Sequence, residues 1–373
     1  MKILYWTETF WPHIGGVEVL SRQFIPAMQK RGYDFTVITS HTNPGHPDET
    51  RYGDIPVHRF HFRSALASRN LKQLRSALEN AAKLKKALKP DLVHINTCYP
   101  SVFFHLRTMH THRAPTLLAV HELPAGCLKE NAVFAHMVSE ADWVVAVSQA
   151  MLQGVRRLAP DIAERSSLIN NALDSPDIAP LPLPFKPARL LCVGRLIKAK
   201  GFDLALEALA LLKSSFPCLR LIIAGDGLAR QDLESRLTAL GIQDMVEFIG
   251  WVSPDRICDV MNTATAVIVP SRWQEPFGLV ALEAAHMARP VVAARVGGLP
   301  EIVIDGETGL LFDKEDSAGL AGAITFLLEH PHTAQKMGEE ARKRVRNLFN
   351  WKELVNSYDT LYKKLIQKGS HAA

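Results

Sequence analysis

The sequence predicts an α/β protein made of two doubly wound parallel-sheet domains in series. Short apolar runs alternate with helix-period stretches along the whole chain, the pattern of parallel strands covered by crossover helices. A length of 373 residues is two domains' worth of chain. Five prolines at 176, 180, 182, 184 and 187 rule out regular helix or strand between Asp174 and Pro187. They mark a linker, 174–187, between domains 1–173 and 188–350, with a last helical stretch at 351–373.

In the first half the strand candidates are Lys2–Trp6, Phe35–Ser40, Val57–Phe62, Leu92–Asn96, Thr116–Val120 and Trp143–Val147. In the second half they are Arg189–Val193, Leu219–Ala224, Val246–Ile249, Thr265–Val269, Pro290–Ala294 and Gly309–Phe312. Each leads into loop residues or a helical pattern, as in a doubly wound unit. Trp351 to Ile366 reads as a closing helix with no strand after it.

Composition excludes several classes. Hydrophobic residues make up 47% of the chain, enough for two cores. Five scattered cysteines (Cys98, Cys127, Cys192, Cys218, Cys258) contain no C-x-x-C pair, so reduced thiols in a cytosol are expected rather than disulfides or zinc. The chain opens on a strand, with no signal peptide visible, and no apolar run reaches the ~20 residues of a membrane span. The net charge of +5 is uneven: residues 1–175 hold 20 Lys and Arg against 15 Asp and Glu, the rest 23 against 23. The first half is therefore the one to meet an anion. No helix-turn-helix, zinc or RNP-type pattern supports nucleic acid.

The richest stretch is Pro270–Ala285. A strand feeds it and a helix, Gly278 to Met287, leaves it. Glu275 lies in the loop, with Glu283 two helical turns later. The amides from Phe277 to Val280, Leu279 included, make a helix N-terminus suited to phosphate, and the two carboxylates suit sugar hydroxyls. Upstream, Arg195 and Lys200 flank a loop that enters a helix at Gly201. Arg is a rigid fork and Lys a point charge for phosphate oxygens; Lys198 is the competitor. Gly225-Asp226-Gly227 and Gly297-Gly298 add glycine-rich edges. In the first half, Gly15 and Gly16 open the first helix. They read equally as a tight helix start and as a phosphate or sugar approach, and lack the dinucleotide spacing. Glu18 either complements the helix dipole or serves function. His121 follows a strand at the edge where α/β proteins bind ligands, although a lone histidine there is more often structural. With neither H-E-x-x-H nor Asp-x-Asp, no structural zinc and no Asp-x-Asp metal site is expected.

Together these runs resemble the retaining nucleotide-sugar glycosyltransferases of family 4, the group 1 glycosyltransferases of GT-B architecture: two Rossmann-like domains facing a cleft. The resemblance spans the chain and is strongest in V-G-R-L-x-x-x-K-G, I-A-G-D-G, P-S-x-x-x-E-P-F-G-L-V-x-L-E-A, G-G-x-P-E and D-G-x-T-G-x-L, in that order. It implies that Arg195 and Lys200 bind the donor diphosphate, Glu283 the ribose, and Glu275 with the backbone at Phe277 and Gly278 the sugar. Leu279 and Val280 amides would face phosphate, Gly16 would approach the donor, and His121 would sit near the transferred sugar. It implies metal-independent retention without a cofactor, the nucleotide sugar being a substrate, and a last helix that returns to the first domain. A UDP-sugar and a lipid-linked or cell-surface glycan acceptor are expected. The alternatives are GDP-mannose with a soluble acceptor, an epimerase, or a binding protein.

Residues 69–89 read as a basic amphipathic helix. Leu71, Leu74, Ala77, Leu78, Ala81, Leu84 and Leu88 share one side; Arg69, Lys72, Arg75, Lys83 and Lys86 the other. Lys85 and Lys89, toward the apolar side, would snorkel outward. The helix either covers the sheet or docks on an anionic membrane surface, which would place the protein at the inner membrane face.

Overall fold

The computed structural model describes residues 1–43, 45–68, 70–96, 101–123, 132–174 and 178–370. They form two compact units: Met1–Asn171 with Lys352–Ala373, and Ala172–Trp351.

The first unit is an eight-stranded sheet: β1 (Lys2–Trp6), β2 (Asp34–Ser40), β3 (Glu49–Tyr52), β4 (Ile55–Phe60), β5 (Leu92–Ile95), β6 (Thr116–Val120), β7 (Trp143–Ala146) and β8 (Ser166–Leu168). Its order is β3-β4-β2-β1-β5-β6-β7-β8. Only the β3–β4 pair is antiparallel. The covering helices are α1 (Gly16–Gln29), α2 (Phe62–Ala67), α3 (Leu71–Leu88), α4 (Val102–Thr108), α5 (Ala132–Glu140) and α6 (Gln149–Leu158). All five residues of β6 are buried, as a central parallel strand requires.

Two edge strands, β3 and β8, were absent from the sequence reading. Their sequences, Glu-Thr-Arg-Tyr and Ser-Ser-Leu, lack an apolar run because an edge needs little burial. The fourth strand also ends earlier than expected. Phe62 belongs to α2, where it stacks on Trp6 at 5.5 Å.

Helix α3 corrects the expected 69–89 helix. Arg69 lies outside the described residues. Asn70 caps the helix, accepting from the amides of Lys72 (3.0 Å) and Gln73 (3.2 Å). Leu71 is 80% exposed, so it leaves the apolar face. Lys85 does not snorkel: it is buried with Ala77 and Ala81. These alanines bring α3 close to its neighbours, and the Lys85 stem has no lateral path to water. Its Nζ donates to Thr108 Oγ1 (2.9 Å), meets His105 Nδ1 (3.1 Å), and lies 5.1 Å from the Trp6 ring centroid. Burial pulls its pKa down to about 7.

The second unit is an all-parallel sheet of β9 (Arg189–Val193), β10 (Arg220–Ala224), β11 (Val246–Gly250), β12 (Ala266–Val269), β13 (Val291–Ala294) and β14 (Gly309–Phe312), ordered β11-β10-β9-β12-β13-β14. Helices α7 (Phe202–Leu212), α8 (Arg230–Leu240), α9 (Ile257–Asn262), α10 (Leu279–His286), α11 (Leu299–Ile302), α12 (Ser317–Glu329) and α13 (Pro331–Leu348) complete it. The proline-rich segment is tied down from its latter part. Buried Arg289 donates to Leu181 O and, at 2.9 Å, to Ala264 O, and Asn262 Nδ2 donates to Ala179 O at 3.2 Å.

The last helix, α14 (Trp351–Ser370), packs on the first unit. Arg31 donates to Asn356 Oδ1 at 2.6 Å, Tyr33 Oη to Asp359 Oδ1 at 2.7 Å, and the Tyr362 hydroxyl meets His94 Nδ1 at 2.5 Å. Leu361, Tyr362 and Leu365 are buried, each contributing ~1.5–3 kcal/mol. Among the described residues no helix is long and apolar enough to cross a membrane. Cys192, Cys218 and Cys258 are free; Cys98 and Cys127 lie outside the described residues.

Candidate active site

In the second unit β9 and β12 are neighbours, and the strand order runs outward from them in both directions. Connections at such a switch point diverge, leaving room for a ligand at the carboxyl ends. The loop after β9 carries Arg195 and Lys200. The loop after β12 carries Glu275.

Glycine is required where these loops touch. A Cβ on Gly201 would lie 2.0 Å from Pro270 O, and one on Gly297 would lie 2.0 Å from Glu275 O. Both have positive φ, 66° and 54°. The contacts are knitted by Arg272 N donating to Ala199 O (2.8 Å) and Gly298 N to Glu275 O (2.7 Å). Arg272 adds a bidentate fork on Asp203, at 2.5 and 2.9 Å, and a bond to Glu315 at 2.7 Å.

Glu275 is thus held rigidly, and it is buried. Its Oε1 accepts from Lys200 Nζ at 2.5 Å and from Ser271 Oγ at 2.6 Å. Lys200 also lies 5.3 Å from the Trp273 ring centroid. No described residue donates to Glu275 Oε2, which leaves that oxygen for a hydroxyl. The sequence assigned Lys200 and Glu275 to different parts of a ligand; the fold joins them as an ion pair. Arg195 is exposed and its guanidinium has no partner among the described residues.

Helix α10 starts later than expected. Gly278, at φ 109°, is its N-cap, and Leu279 its first residue. Ala281 N already donates to Gly278 O at 2.9 Å, so the run of amides at the helix start that an anion could meet ends at Val280. The Phe277 side chain is turned inward onto Phe349, ring centroids 5.5 Å apart. Glu283 falls little more than one turn into the helix. Burial pushes its carboxyl up to about 7. Its charge, with burial as the larger cause, helps push the Cys258 thiol up to about 11. Ser271, Arg272, Trp273 and Cys258 went unassigned in the sequence; the first three lay in plain view between Pro270 and Glu275.

In the first unit β1, β5 and β6 are adjacent, so Gly15, Asn96 and His121 share one sheet edge. Gly15 caps α1 in extended conformation, and a Cβ there would meet Glu18 Oε2 at 2.7 Å. Gly16 is exposed. Glu18 is buried and accepts from Thr9 Oγ1, which gives it a structural partner. His121 is fixed through a chain of hydrogen bonds. Ser21 Oγ donates to Val17 O (2.8 Å), so it accepts from Tyr5 Oη (2.8 Å) and Asn96 Nδ2 (3.4 Å). Asn96 therefore turns Oδ1 to His121 Nε2, at 2.6 Å, and that nitrogen carries the proton. Burial holds the ring's pKa down at about 4. The ring is neutral at pH 7, with Nδ1 offering a lone pair.

Two doubly wound units with these loops define a GT-B glycosyltransferase. Residues 176–344 match the family described as glycosyl transferases group 1, and residues 14–175 match glycosyltransferase family 4. Glycogen synthase of Mycobacterium tuberculosis (strain CDC 1551 / Oshkosh) is 30% identical over 383 residues, covering 94% of this chain and 91% of that protein. The chain belongs to the group 1 glycosyltransferases. The D-inositol 3-phosphate glycosyltransferase of Acidothermus cellulolyticus is 39% identical over 202 residues, 52% of this chain and 44% of that one. Sucrose-phosphate synthase from Thermosynechococcus elongatus superposes with a TM-score of 0.83 at 24% identity, covering 98% of this chain and 99% of that one. Anabaena Alr3699/HepE in complex with UDP-glucose gives 0.79 at 22% identity, over 98% and 100%.

Proposed function

We propose that this glycosyltransferase moves a hexose from a UDP-sugar to an acceptor hydroxyl with retention and without a metal, the acceptor being a lipid-linked or cell-surface glycan intermediate. The observation that carries the donor assignment is the Glu275 carboxylate, held by Lys200 and Ser271 beside the α10 N-terminus with one oxygen uncommitted. A UDP-glucose complex of a structural neighbour and a glycogen synthase among the relatives support a UDP-hexose.

The chemistry follows from charge placement. Sugar hydroxyls donate to Glu275 Oε2, and ribose hydroxyls to Glu283. As the anomeric bond breaks, negative charge grows on the β-phosphate. Arg195, Lys200 and the Leu279 and Val280 amides stabilise that charge more in the transition state than in the ground state. The acceptor attacks from the face the diphosphate leaves, and a leaving-phosphate oxygen takes its proton. Glu275 and Glu283 are not a glycosidase pair.

The test is a thermal-shift panel of UDP- and GDP-sugars, followed by detection of released nucleotide. A UDP-hexose at ~100 times its dissociation constant stabilises by ~2.7 kcal/mol. A shift with GDP-mannose and none with any UDP-sugar overturns the donor assignment.

A further inference from the structure

We propose a second site, on the first unit: a divalent transition-metal site of the Zn²⁺ class formed by His41, Asp48 and His61, pinning the loop after β2 to the end of β4. β2 and β4 run parallel with Ser40 opposite Phe60, and the ladder continues one step as His41 N donates to Phe60 O at 2.8 Å. His41 and His61 therefore leave the same sheet edge side by side. Their rings lie face to face, centroids 4.3 Å apart and 9° from parallel. The loop between them returns Asp48, whose carbonyl accepts from Arg59 N at 2.6 Å. Asp48 Oδ1 meets His41 Nε2 at 2.7 Å. One ligand atom from each of the three residues lies within 4.8 Å of the others.

Two neutral imidazoles and one carboxylate, net charge −1, match a borderline divalent cation, and three protein ligands leave a fourth position for water. Ligands ~2.0–2.1 Å from a tetrahedral ion stand roughly 3.3 Å apart, so the cluster must tighten. Asp48 and His61 are exposed and free to change rotamer. His41, its side chain 6% exposed, is the fixed member. The His41 ring holds Asp48 through Nε2, and its Nδ1 is buried without a partner among the described residues.

The site has a route to the rest of the unit. Arg59 is buried; it donates to Trp11 O at 2.8 Å and to Pro47 O at 3.4 Å. It ties the metal loop to the loop carrying Gly15 and Gly16. Metal at this site stiffens both loops and takes no part in the chemistry at Lys200 and Glu275, which lie on the other unit.

The experiment strips the full chain with a chelator and titrates it with Co²⁺ and then Zn²⁺, for wild type, Asp48→Asn and His61→Ala. His136→Ala, at a histidine outside the cluster, is the control. Wild type should take up one equivalent of Co²⁺ with the visible absorption of a tetrahedral site. Zn²⁺ should displace it and raise the Tm. Asp48→Asn and His61→Ala should each weaken binding at least tenfold and abolish the Tm gain, while His136→Ala changes neither. Both substituted side chains are exposed, and an unchanged metal-free Tm shows the variants fold. No stoichiometric Co²⁺ spectrum in wild type, a spectrum kept in both variants, or equal loss in His136→Ala overturns the site.

Discussion

Arg195 and Lys200 carry the same charge but sit in different surroundings, and their variants should separate accordingly. Arg195 is exposed, with no side-chain partner among the described residues, so Arg195→Ala should cut turnover by roughly two to three orders of magnitude, as loss of an oxyanion donor does, with the Tm unchanged. Lys200→Met leaves the Glu275 carboxylate buried with only Ser271, so it should lower the Tm as well. Steady-state kinetics beside thermal melts check the pair, and near-normal turnover in Arg195→Ala defeats the phosphate role. Glu283 adds a pH signature. Its folded pKa of about 7 is raised from 4.5, so in the proposed ribose role it meets the nucleotide as a protonated acid below pH 7. UDP affinity should fall about tenfold per unit as pH drops below 7, and Glu283→Gln should flatten that profile. The same shift costs stability. The unfolded chain releases the proton near 4.5 and the folded one near 7, so stability falls as pH rises through that window. Glu283→Gln should therefore raise the Tm of the free protein more at pH 8 than at pH 5. These contrasts were only half legible in sequence. Residue types and loops could be read, but the Lys200–Glu275 pair joins positions 75 apart, and the inward turn of Lys85 is decided by Thr108, His105 and Trp6 on other elements, which no helical wheel contains.

At the scale of elements, strands such as β1, β2, β5, β6, β12 and β13 are legible in sequence because their buried apolar runs stand out, and the half-exposed β4 and β11 are legible because they keep apolar residues such as Val57, Val246, Phe248 and Ile249. The edges β3 and β8 were invisible for the opposite reason. The glycine-rich motifs announced a phosphate-binding edge, yet their structural reason is closer to carpentry: they let the loops after β9, β12 and β13 touch backbone to backbone. That distinction can be measured. Gly297→Ala and Gly306→Ala both force alanine to positive φ, 54° and 77°, at a similar strain of roughly 1 kcal/mol. A Cβ at 306 meets open space, while one at 297 runs into Glu275 O. Gly306→Ala should lose that strain alone and keep its turnover. Gly297→Ala should lose more stability and also displace Glu275, so that kcat falls at least tenfold. Equal kinetics in the two variants would show that the contact does not position Glu275.

For the whole molecule, the open matter is where it works, and α3 supplies the argument. Its buried stripe, Ala77, Ala81 and Lys85, faces α2 and α4, which accounts for the small residues without any membrane. The outer face is separate. Lys72, Arg75, Lys83 and Lys86 are exposed, and of these only Arg75 has an acidic partner among the described residues, Glu79 at 2.8 Å, an exposed pair of little strength. This helix supplies much of the positive excess of residues 1–175. Near an anionic leaflet each Lys or Arg contributes ~1 kcal/mol, so four together give reversible attachment of ~4 kcal/mol, enough to bring a lipid-linked acceptor to the enzyme. Exposed Leu71 at the N-terminal end of α3 adds a small apolar contact. Co-sedimentation with vesicles of graded anionic lipid content should show binding that needs the anionic lipid and weakens as salt shortens the Debye length below ~10 Å. Replacing Lys72, Arg75, Lys83 and Lys86 together by Gln should abolish it while leaving donor hydrolysis intact, because none of the four belongs to the donor site. Binding that survives those substitutions, or no binding at low salt, would leave α3 as a covering helix and direct the search to a soluble acceptor.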